Sequence, residues 1–108
     1  MTVIEVWVNC PDREVAARIS AALIAERVVA CANILAGIDS VYRWKGSVER
    51  ATEFPLVAKT RGSLFDAVCR RVKSLHPYET PAITGVAIDF VDRDYEAWIV
   101  AETAVAAP

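Results

Sequence analysis

The beginning of the chain shows two different spacings of apolar residues. Residues 2–9, TVIEVWVN, alternate between two sets of side chains and are rich in β-branched and aromatic types, which predicts a strand buried on at least one face. Residues 10–27 place Val15, Ile19 and Leu23 at helical spacing, and Pro11 or Asp12 suits the first positions of a helix. A strand followed by an amphipathic helix is therefore predicted.

Two long segments that read as strands, residues 31–44 and 47–60, flank the dipeptide Lys45-Gly46. A two-residue turn ending in glycine is typical of a β-hairpin, because Gly46 can adopt a positive φ. Gly37 and Pro55 interrupt the two arms, so we expect bulge or edge positions there. The segment thus predicts one long antiparallel hairpin.

The predicted hairpin is longer than the body that would carry it. About 14 residues at roughly 3.3 Å each extend some 45 Å, whereas a compact domain of this length is about 30 to 35 Å across. The far end, with Tyr42 and Trp44, would then be an apolar ribbon without a partner. We therefore expect a neighbouring chain to cover or extend it.

The second half repeats the order of helix and strand. Residues 62–75 carry a single apolar stripe, with Ser63 as the expected N-cap, and residues 82–91 read as a strand. Residues 92–103 predict a third helix that begins at Asp92 or Asp94, and its buried side is expected to hold Tyr95, Trp98 and Ile99. Residues 104–108, AVAAP, are predicted to be a frayed tail.

The order strand, helix, strand, strand, helix, strand defines the fold class. It predicts a single α+β domain over residues 1–108, a ferredoxin-like split βαβ sandwich with an antiparallel sheet and two helices on one face. The long protruding hairpin and the C-terminal helix are additions to that core. This scaffold supports many unrelated activities, so the fold does not identify a function.

Composition narrows the classes of partner. The net charge of −2 and pI near 5.3 argue against nucleic acid, which requires a concentrated basic face. Hydrophobic residues make up 55% of the chain, more than one small core needs, which favours a subunit interface. Neither a secretion leader nor an apolar run near 18 residues is present, and three cysteines without C-x-x-C spacing indicate free thiols. We expect a cytoplasmic protein without a membrane segment.

The segment LHPYETP, residues 75–81, contains the only histidine. Its two prolines favour extended backbone and explain a rigid corner between helix and strand. His76 and Glu79 also offer nitrogen and oxygen ligands to copper or zinc, with Tyr78 as a supporting hydrogen-bonding group. A closed zinc site needs four ligands, so a structural corner and a ligand contact both stay open.

Cysteine chemistry and catalysis are less well supported. Cys10 precedes a helix, where the dipole can lower a thiol pKa, so it is a candidate thiolate or soft-metal ligand. A small residue in a strand-to-helix turn is the alternative interpretation. The sequence contains no catalytic triad, glycine-rich phosphate loop or H-E-x-x-H motif, and one histidine without an activated nucleophile predicts a non-enzyme.

Six short motifs occur in one order along the chain, from about residue 3 to residue 103. They are CPD after the first strand, ACANI at 30–34, SVYRWKGSV at 40–48, KTR at 59–61, HPYETP at 76–81 and DYEAWI at 94–99. Taken together, the motifs resemble the CutA family of divalent-cation-tolerance proteins. The resemblance implies a ferredoxin-like subunit in a tight cytosolic homotrimer, in which the hairpins pair across subunit boundaries.

The resemblance also implies tolerance of copper and other divalent ions. Copper-binding members share a first-strand cysteine and a His-His pair ahead of PY, and the matching positions here hold Val8, Leu75 and His76. One of those three ligands remains, and Cys10 lies two residues beyond Val8, on the same side if the strand continues. The expected metal contact is therefore weak and rests on His76 and Cys10, with no cofactor required.

The family is also similar in architecture to trimeric PII-like signalling proteins, which suggests a second function. In that alternative the trimer binds a small anionic ligand in clefts between subunits, with Lys59, Arg61, Tyr78 and Glu79 as candidate cleft residues. If Glu79 is buried there, it needs a cationic partner such as Lys59 or Arg61. A trimeric scaffold that acts through protein contacts is the third hypothesis.

Overall fold

The computed structural model describes residues 3–103. Its elements, in chain order, are β1 (Val3–Cys10), α1 (Arg13–Ala25), β2 (Cys31–Ile34), β3 (Ile38–Trp44), β4 (Ser47–Arg61), α2 (Phe65–Leu75), β5 (Ile83–Ala87) and α3 (Arg93–Glu102). The start of the first predicted strand at Thr2 and the predicted frayed tail at 104–108 lie outside the described residues.

All strand pairs of the sheet are antiparallel. The strand order is β2-β4-β1-β5, and β3 pairs with the half of β4 that extends beyond this path. The central pair β1 and β4 is not consecutive in sequence, because α1, β2 and β3 lie between its members. This arrangement confirms the predicted α+β fold with an antiparallel sheet and split βαβ connectivity.

One face of the sheet carries the hydrophobic core. Every second residue of β1 points to this face, and α1 and α2 cover it. The strand and helix residues that meet there are Ile4, Val6, Val8, Cys10, Leu56 and Ala58 with Val15, Ala16, Ile19, Leu23, Val68 and Val72. Two helices therefore lie on one face, as predicted, and Val8 and Cys10 share that face.

The helix starts agree in part with the predicted caps. The Asp12 carboxylate accepts a hydrogen bond from Val15 N at 2.8 Å, and Asp92 accepts one from Tyr95 N at 3.0 Å. The predicted cap at Ser63 is wrong, because Ser63 lies inside a 3₁₀ turn, Gly62–Leu64, that precedes α2. That turn supplies the start of α2 without a side-chain cap.

The two hairpin arms differ in continuity. The first arm is broken at residues 35–37 into β2 and β3, whereas β4 runs through as one strand of 15 residues. The predicted interruption at Gly37 is confirmed. Pro55 does not lie on a sheet edge, because it is inside the central strand β4 and paired with Asn9. The bulge alternative is confirmed: the register of β4 shifts by one residue between the pairs Ile34–Leu56 and Ile38–Glu53, so residues 35–37 of the first arm lie opposite residues 54–55. Pro55 lies level with the break in the first arm, where Leu35 N donates to Pro55 O at 2.9 Å.

The hairpin projects from the body of the molecule. Its turn consists of Lys45 and Gly46, whose φ angles of 48° and 85° are those of a primed hairpin turn. The exposed fractions of Val41 and Val48 near this tip are 57% and 60%. The longest dimension of the molecule is 44 Å, so the predicted protrusion is confirmed.

Helix α3 packs less extensively than its sequence predicts. Ile99 is fully buried, but Tyr95 and Trp98 are 38% and 43% exposed, so the expectation that all three are buried is wrong for the two aromatic residues. Their rings stack on each other with centroids 5.8 Å apart. Burial in a single chain is limited because α3 lies at the edge of the molecule, near β2.

None of the helices within residues 3–103 has the length and apolar character of a membrane span.

Candidate functional site

His76 is the C-cap of α2 and is held by the corner that follows it. Its backbone N–H bonds to Val72 O, and its side chain is 7% exposed. Ring atom Nδ1 accepts a hydrogen bond from Tyr78 N at 3.1 Å, which leaves the proton on Nε2. Nε2 then donates to Asn9 O, the carbonyl oxygen of the penultimate residue of β1, at 2.7 Å. Both ring nitrogens are therefore engaged with the backbone.

Cys10 lies at the end of β1 with no exposed surface. Burial, with smaller contributions from the charges of Asp12 and Glu53, raises the pKa of Cys10 to about 11. A thiol with so high a pKa is protonated at neutral pH, and the thiolate is the form that binds metals and attacks electrophiles. The structure thus gives Cys10 the properties of a small core residue.

These two residues do not fit a preformed metal site. A ligating imidazole needs a free nitrogen lone pair, and the Nδ1 lone pair of His76 already accepts a hydrogen bond. Among the residues that the structure describes, no three His, Cys, Asp or Glu side chains are grouped closely enough to hold a metal ion. Coordination at His76 would require the loss of an existing hydrogen bond.

The two basic candidate residues lie near the C-terminal end of β4. Lys59 Nζ is 3.9 Å from the Glu5 carboxylate on the neighbouring strand. The Arg61 guanidinium donates to Thr103 Oγ1 at 2.8 Å and to Val100 O at 3.2 Å. Arg61 thereby satisfies carbonyl groups at the end of α3, and its role in the single chain is structural.

Tyr78 and Glu79 lie at the opposite part of the molecule, beside the hairpin. Glu79 is exposed, and its carboxylate is 3.3 Å from Lys45 Nζ at the hairpin turn. The partner expected for Glu79, Lys59 or Arg61, is therefore replaced by Lys45. Within one chain the structure does not bring the four candidate cleft residues together, because β4 separates its two ends by the length of the strand.

A cavity of about 780 Å³ opens between the hairpin, the end of β1 and the corner after α2. We call it the hairpin cleft. It is lined by three carboxylates, three aromatic rings and several small or polar side chains, namely Asp39, Glu53, Glu79, Tyr42, Trp44, Tyr78, Asn9, Ser40, Val41, Thr80 and Ala82. Its volume is in the range of small-molecule binding sites.

Glu53 is the cleft residue that sequence reasoning missed. It is 5% exposed, and no ion pair to it is formed within residues 3–103, which is an unusual combination for a carboxylate. The pKa of Tyr78 is raised to about 12. Burial of the hydroxyl is the largest cause, and the negative charge of Glu53 and a hydrogen bond with it add to the effect. The only hint in the sequence is an acidic residue directly before the apolar run FPLVA, and that pattern also occurs at ordinary strand ends.

The lining of the hairpin cleft supplies groups that can bind a ligand. Its lining has hydrogen-bond acceptors, negative charge and ring faces, but none of the residues that line it is a histidine, cysteine, lysine or arginine. A nucleophile activated by an adjacent base needs such a pairing. Tyr78, with its raised pKa, stays protonated and donates hydrogen bonds at neutral pH.

Comparison with known proteins gives a consistent result over most of the chain. Residues 4–102 match the family described as CutA1 divalent ion tolerance protein. The divalent-cation tolerance protein CutA of Thermus thermophilus is 42% identical over 94 residues, which cover 87% of this chain and 91% of the relative. That of Pyrococcus horikoshii is 39% identical over 98 residues, covering 91% and 95% of the two chains.

Solved structures agree with the sequence comparison. The crystal structure of CutA1 from Oryza sativa superimposes with a TM-score of 0.94 at 36% identity, covering 98% of this chain and 97% of that chain. The chain spans only about half, 54%, of the curated chloroplastic rice relative. The match in sequence and in fold along nearly the whole chain leads to one conclusion: this protein belongs to the CutA1 family of divalent ion tolerance proteins.

Proposed function

We propose that this protein acts in divalent-cation tolerance as a homotrimer whose hairpins form the contacts between subunits. The observation that carries the proposal is the apolar surface of the hairpin. Val41, Tyr42, Trp44 and Val48 are each more than a third exposed on a two-stranded ribbon that projects from the core. An isolated ribbon of this kind is marginally stable in water and gains stability from coverage.

The second face of the sheet adds to the surface available for assembly. Helices α1 and α2 cover one face only, and on the other side a cavity of about 390 Å³ is lined by Trp7, Asn9, Ala82, Thr84 and Val86. Val86 is 50% exposed on the edge strand β5. Edge strands with apolar side chains are usually paired or covered in native proteins, which supports an interface there.

The trimer is tested by its mass in solution. Light scattering coupled to size exclusion at micromolar concentration is expected to give a mass close to three times the 11.8 kDa of one chain. A mass of one chain would contradict the proposal, and a mass of two chains would replace the trimer with a dimer. Repeating the measurement at high salt separates an apolar interface from a mainly ionic one, since salt screens the latter.

Copper contact is proposed to be weak and to depend on His76. Copper(II) accepts imidazole ligands readily, but coordination here must displace the bond from Tyr78 N to Nδ1. Cys10 contributes little because burial raises its pKa to about 11. We expect a dissociation constant no tighter than about 1 μM, equivalent to about 8 kcal/mol of binding free energy.

A copper titration of the metal-free protein checks this expectation. His76→Gln keeps an amide donor and acceptor at the corner but removes the imidazole, and it is expected to weaken copper binding about tenfold. Cys10→Ala is the matched control and is expected to bind as the parent does. Nanomolar affinity, or unchanged affinity in His76→Gln, would show that copper binds elsewhere.

We also propose that the protein is not an enzyme and that it works in the cytoplasm. The hairpin cleft offers binding groups, and the three thiols Cys10, Cys31 and Cys69 are free, which is usual in a reducing compartment. Relatives differ in location: the solved Archaeoglobus fulgidus protein is described as periplasmic, and the rice relative as chloroplastic. Fractionation of the native host would test the location directly.

The alternative function, capture of a small anionic ligand, gains no support from the geometry. Tyr78 and Glu79 line a cleft together with Asp39 and Glu53. Lys59 and Arg61, which would have to bind the anion, are engaged by Glu5 and by the end of α3. An anion in the hairpin cleft would meet three carboxylates, and like charges repel.

A further inference from the structure

Helix α3 lies on the face of the sheet opposite α1 and α2. Residues that pair directly across antiparallel strands point to the same face, and Cys31 of β2 pairs with Lys59 of β4. The next pair along, Ala32 with Ala58, packs in the core under α1 and α2. Cys31 therefore lies on the other face, where its Sγ atom is 3.4 Å from the Tyr95 hydroxyl of α3.

The end of α1 carries an arginine at a position where glycine is usual. Val28 N bonds to Leu23 O at 3.1 Å and Arg27 N bonds to Ile24 O at 3.0 Å, which is the hydrogen-bond pattern of a Schellman motif. The φ of Arg27 is 59°, in the left-handed region that glycine adopts freely and other residues adopt at a cost. An arginine kept there in spite of that cost indicates a role for its side chain.

The guanidinium of Arg27 holds the C-terminal end of α3. Its Nη2 atom donates to Ala101 O at 2.8 Å and its Nε atom to Glu102 O at 3.2 Å. Arg61 donates to the preceding carbonyl, Val100 O, at 3.2 Å. The last carbonyls of a helix have no partner within the helix and carry partial negative charge, so both guanidinium groups are favourable there. The ends of α1 and α3 are thereby joined.

The rest of α3 is attached weakly to the body. Within Arg93–Glu102 the single buried side chain is Ile99, whereas Tyr95 and Trp98 are more than a third exposed. The bonds from Arg27 lie at the surface. Because α3 follows the last strand, it can leave the sheet without breaking a strand pairing. Segments with few buried apolar contacts and exposed hydrogen bonds open at a lower free energy than the core.

We propose that α3 is a strap that opens independently of the sheet, with Arg27 as its latch. Opening releases the carbonyls of α3 from the guanidinium and moves the Tyr95 hydroxyl away from the Cys31 thiol. The thiol and the neighbouring Lys59 side chain then become accessible on that face of the sheet. The strap thus controls access to a thiol that it partly covers when closed. The inference does not depend on the trimer or on the copper contact proposed above.

Hydrogen–deuterium exchange of the full-length native assembly, measured on peptides by mass spectrometry, tests the strap. After correction for intrinsic rates, the amides of α3, Arg93–Glu102, are expected to exchange about a hundredfold faster than those of β1, Val3–Cys10. Equal protection of the two elements would show that α3 opens only in global unfolding or that a neighbouring subunit holds it closed. Either result would overturn the proposal.

Two substitutions of Arg27 test the latch. Arg27→Met removes the guanidinium at an unchanged backbone requirement and is expected to speed exchange of α3 about tenfold, with β1 within about twofold of the parent. Arg27→Gly also relieves the left-handed strain, so exchange of α3 is expected to rise equally while the protection of β1 does not fall. Arg18→Met, at an exposed residue of α1, is the matched control and is expected to change neither element. Unchanged exchange of α3 in both Arg27 variants, or equal acceleration of α3 and β1, would refute the latch.

Alkylation by iodoacetamide gives a second measurement, on the sheet side of the strap. Cys31 is expected to react about fivefold faster in Arg27→Met than in the parent, because an open strap exposes its thiol. Cys10, which has no exposed surface in the core, is the internal control and is expected to stay unmodified in both proteins. Peptide masses distinguish the two cysteines. Equal rates at Cys31 in the two proteins would show that α3 does not control access to this thiol.

Discussion

Replacing Val41 and Val48 together by lysine is expected to convert the assembled protein into folded single chains. The two residues lie on one face of the hairpin, because Val41 is paired with Arg50 and Val48 with Arg43. Both are more than half exposed in the single chain, so neither replacement opens the core. In an assembly they would bring ammonium groups into an apolar contact beside Arg43 and Arg50, at a cost of several kcal/mol per buried charge.

The measurement is the mass in solution, with circular dichroism to show that secondary structure is retained. A matched control is Ile24→Lys, which places lysine at another exposed apolar residue, 44% exposed at the end of α1, outside the hairpin. The control is expected to keep the parent mass, and a positive charge near a helix C-terminus is favourable there. If the double variant keeps the parent mass as well, this face of the hairpin is not an interface.

Replacing His76 by alanine is expected to lower the free energy of unfolding by about 2 to 4 kcal/mol. The substitution removes both hydrogen bonds of the ring, to Asn9 O and from Tyr78 N, and leaves those backbone groups without their partners. Each lost bond with an unsatisfied buried group costs about 1 to 3 kcal/mol. The contact of the imidazole with the Tyr78 ring, at 4.7 Å between centroids, is lost as well.

Denaturant unfolding at fixed protein concentration measures the effect, because the stability of an assembly depends on concentration. Ser74→Ala is the matched control: it removes hydrogen bonds of an exposed α2 residue to Arg71 and is expected to cost less than about 1 kcal/mol. His76→Gln is expected to recover part of the loss. An unfolding midpoint of His76→Ala equal to that of the parent would mean that the two ring bonds contribute nothing to stability.

The corner at residues 76–81 illustrates how far sequence reasoning reached at the site. Two prolines and a helix end were sufficient to predict a rigid connection. The partner of Nε2 of His76 was not predictable, because it is Asn9 O, a backbone atom 67 positions away in sequence. Local sequence describes the corner, but the long-range pairing of β1 with the corner decides what the imidazole does.

The candidate cleft residues show the same division. Tyr78 and Glu79, chosen by residue type as candidates for a cleft between subunits, line the hairpin cleft of the single chain, whereas Lys59 and Arg61 lie near the other end of β4. Glu53 was missed because acidic residues are usually exposed, and its burial results from the packing of the hairpin against the end of β1. The negative charge of the cleft lining follows from that packing.

Sequence by itself determined the element order, the amphipathic faces of α1 and α2, and the length of the hairpin. Those features depend on the spacing of apolar residues and on the two-residue turn at Lys45 and Gly46, which are local properties of the chain. Tertiary structure alone decided that Pro55 is tolerated in a central strand, that Tyr95 and Trp98 stay exposed, and that Glu79 pairs with Lys45. The physical reason is that burial and charge pairing are set by atoms brought together from distant parts of the chain, and no local pattern records which of them will meet.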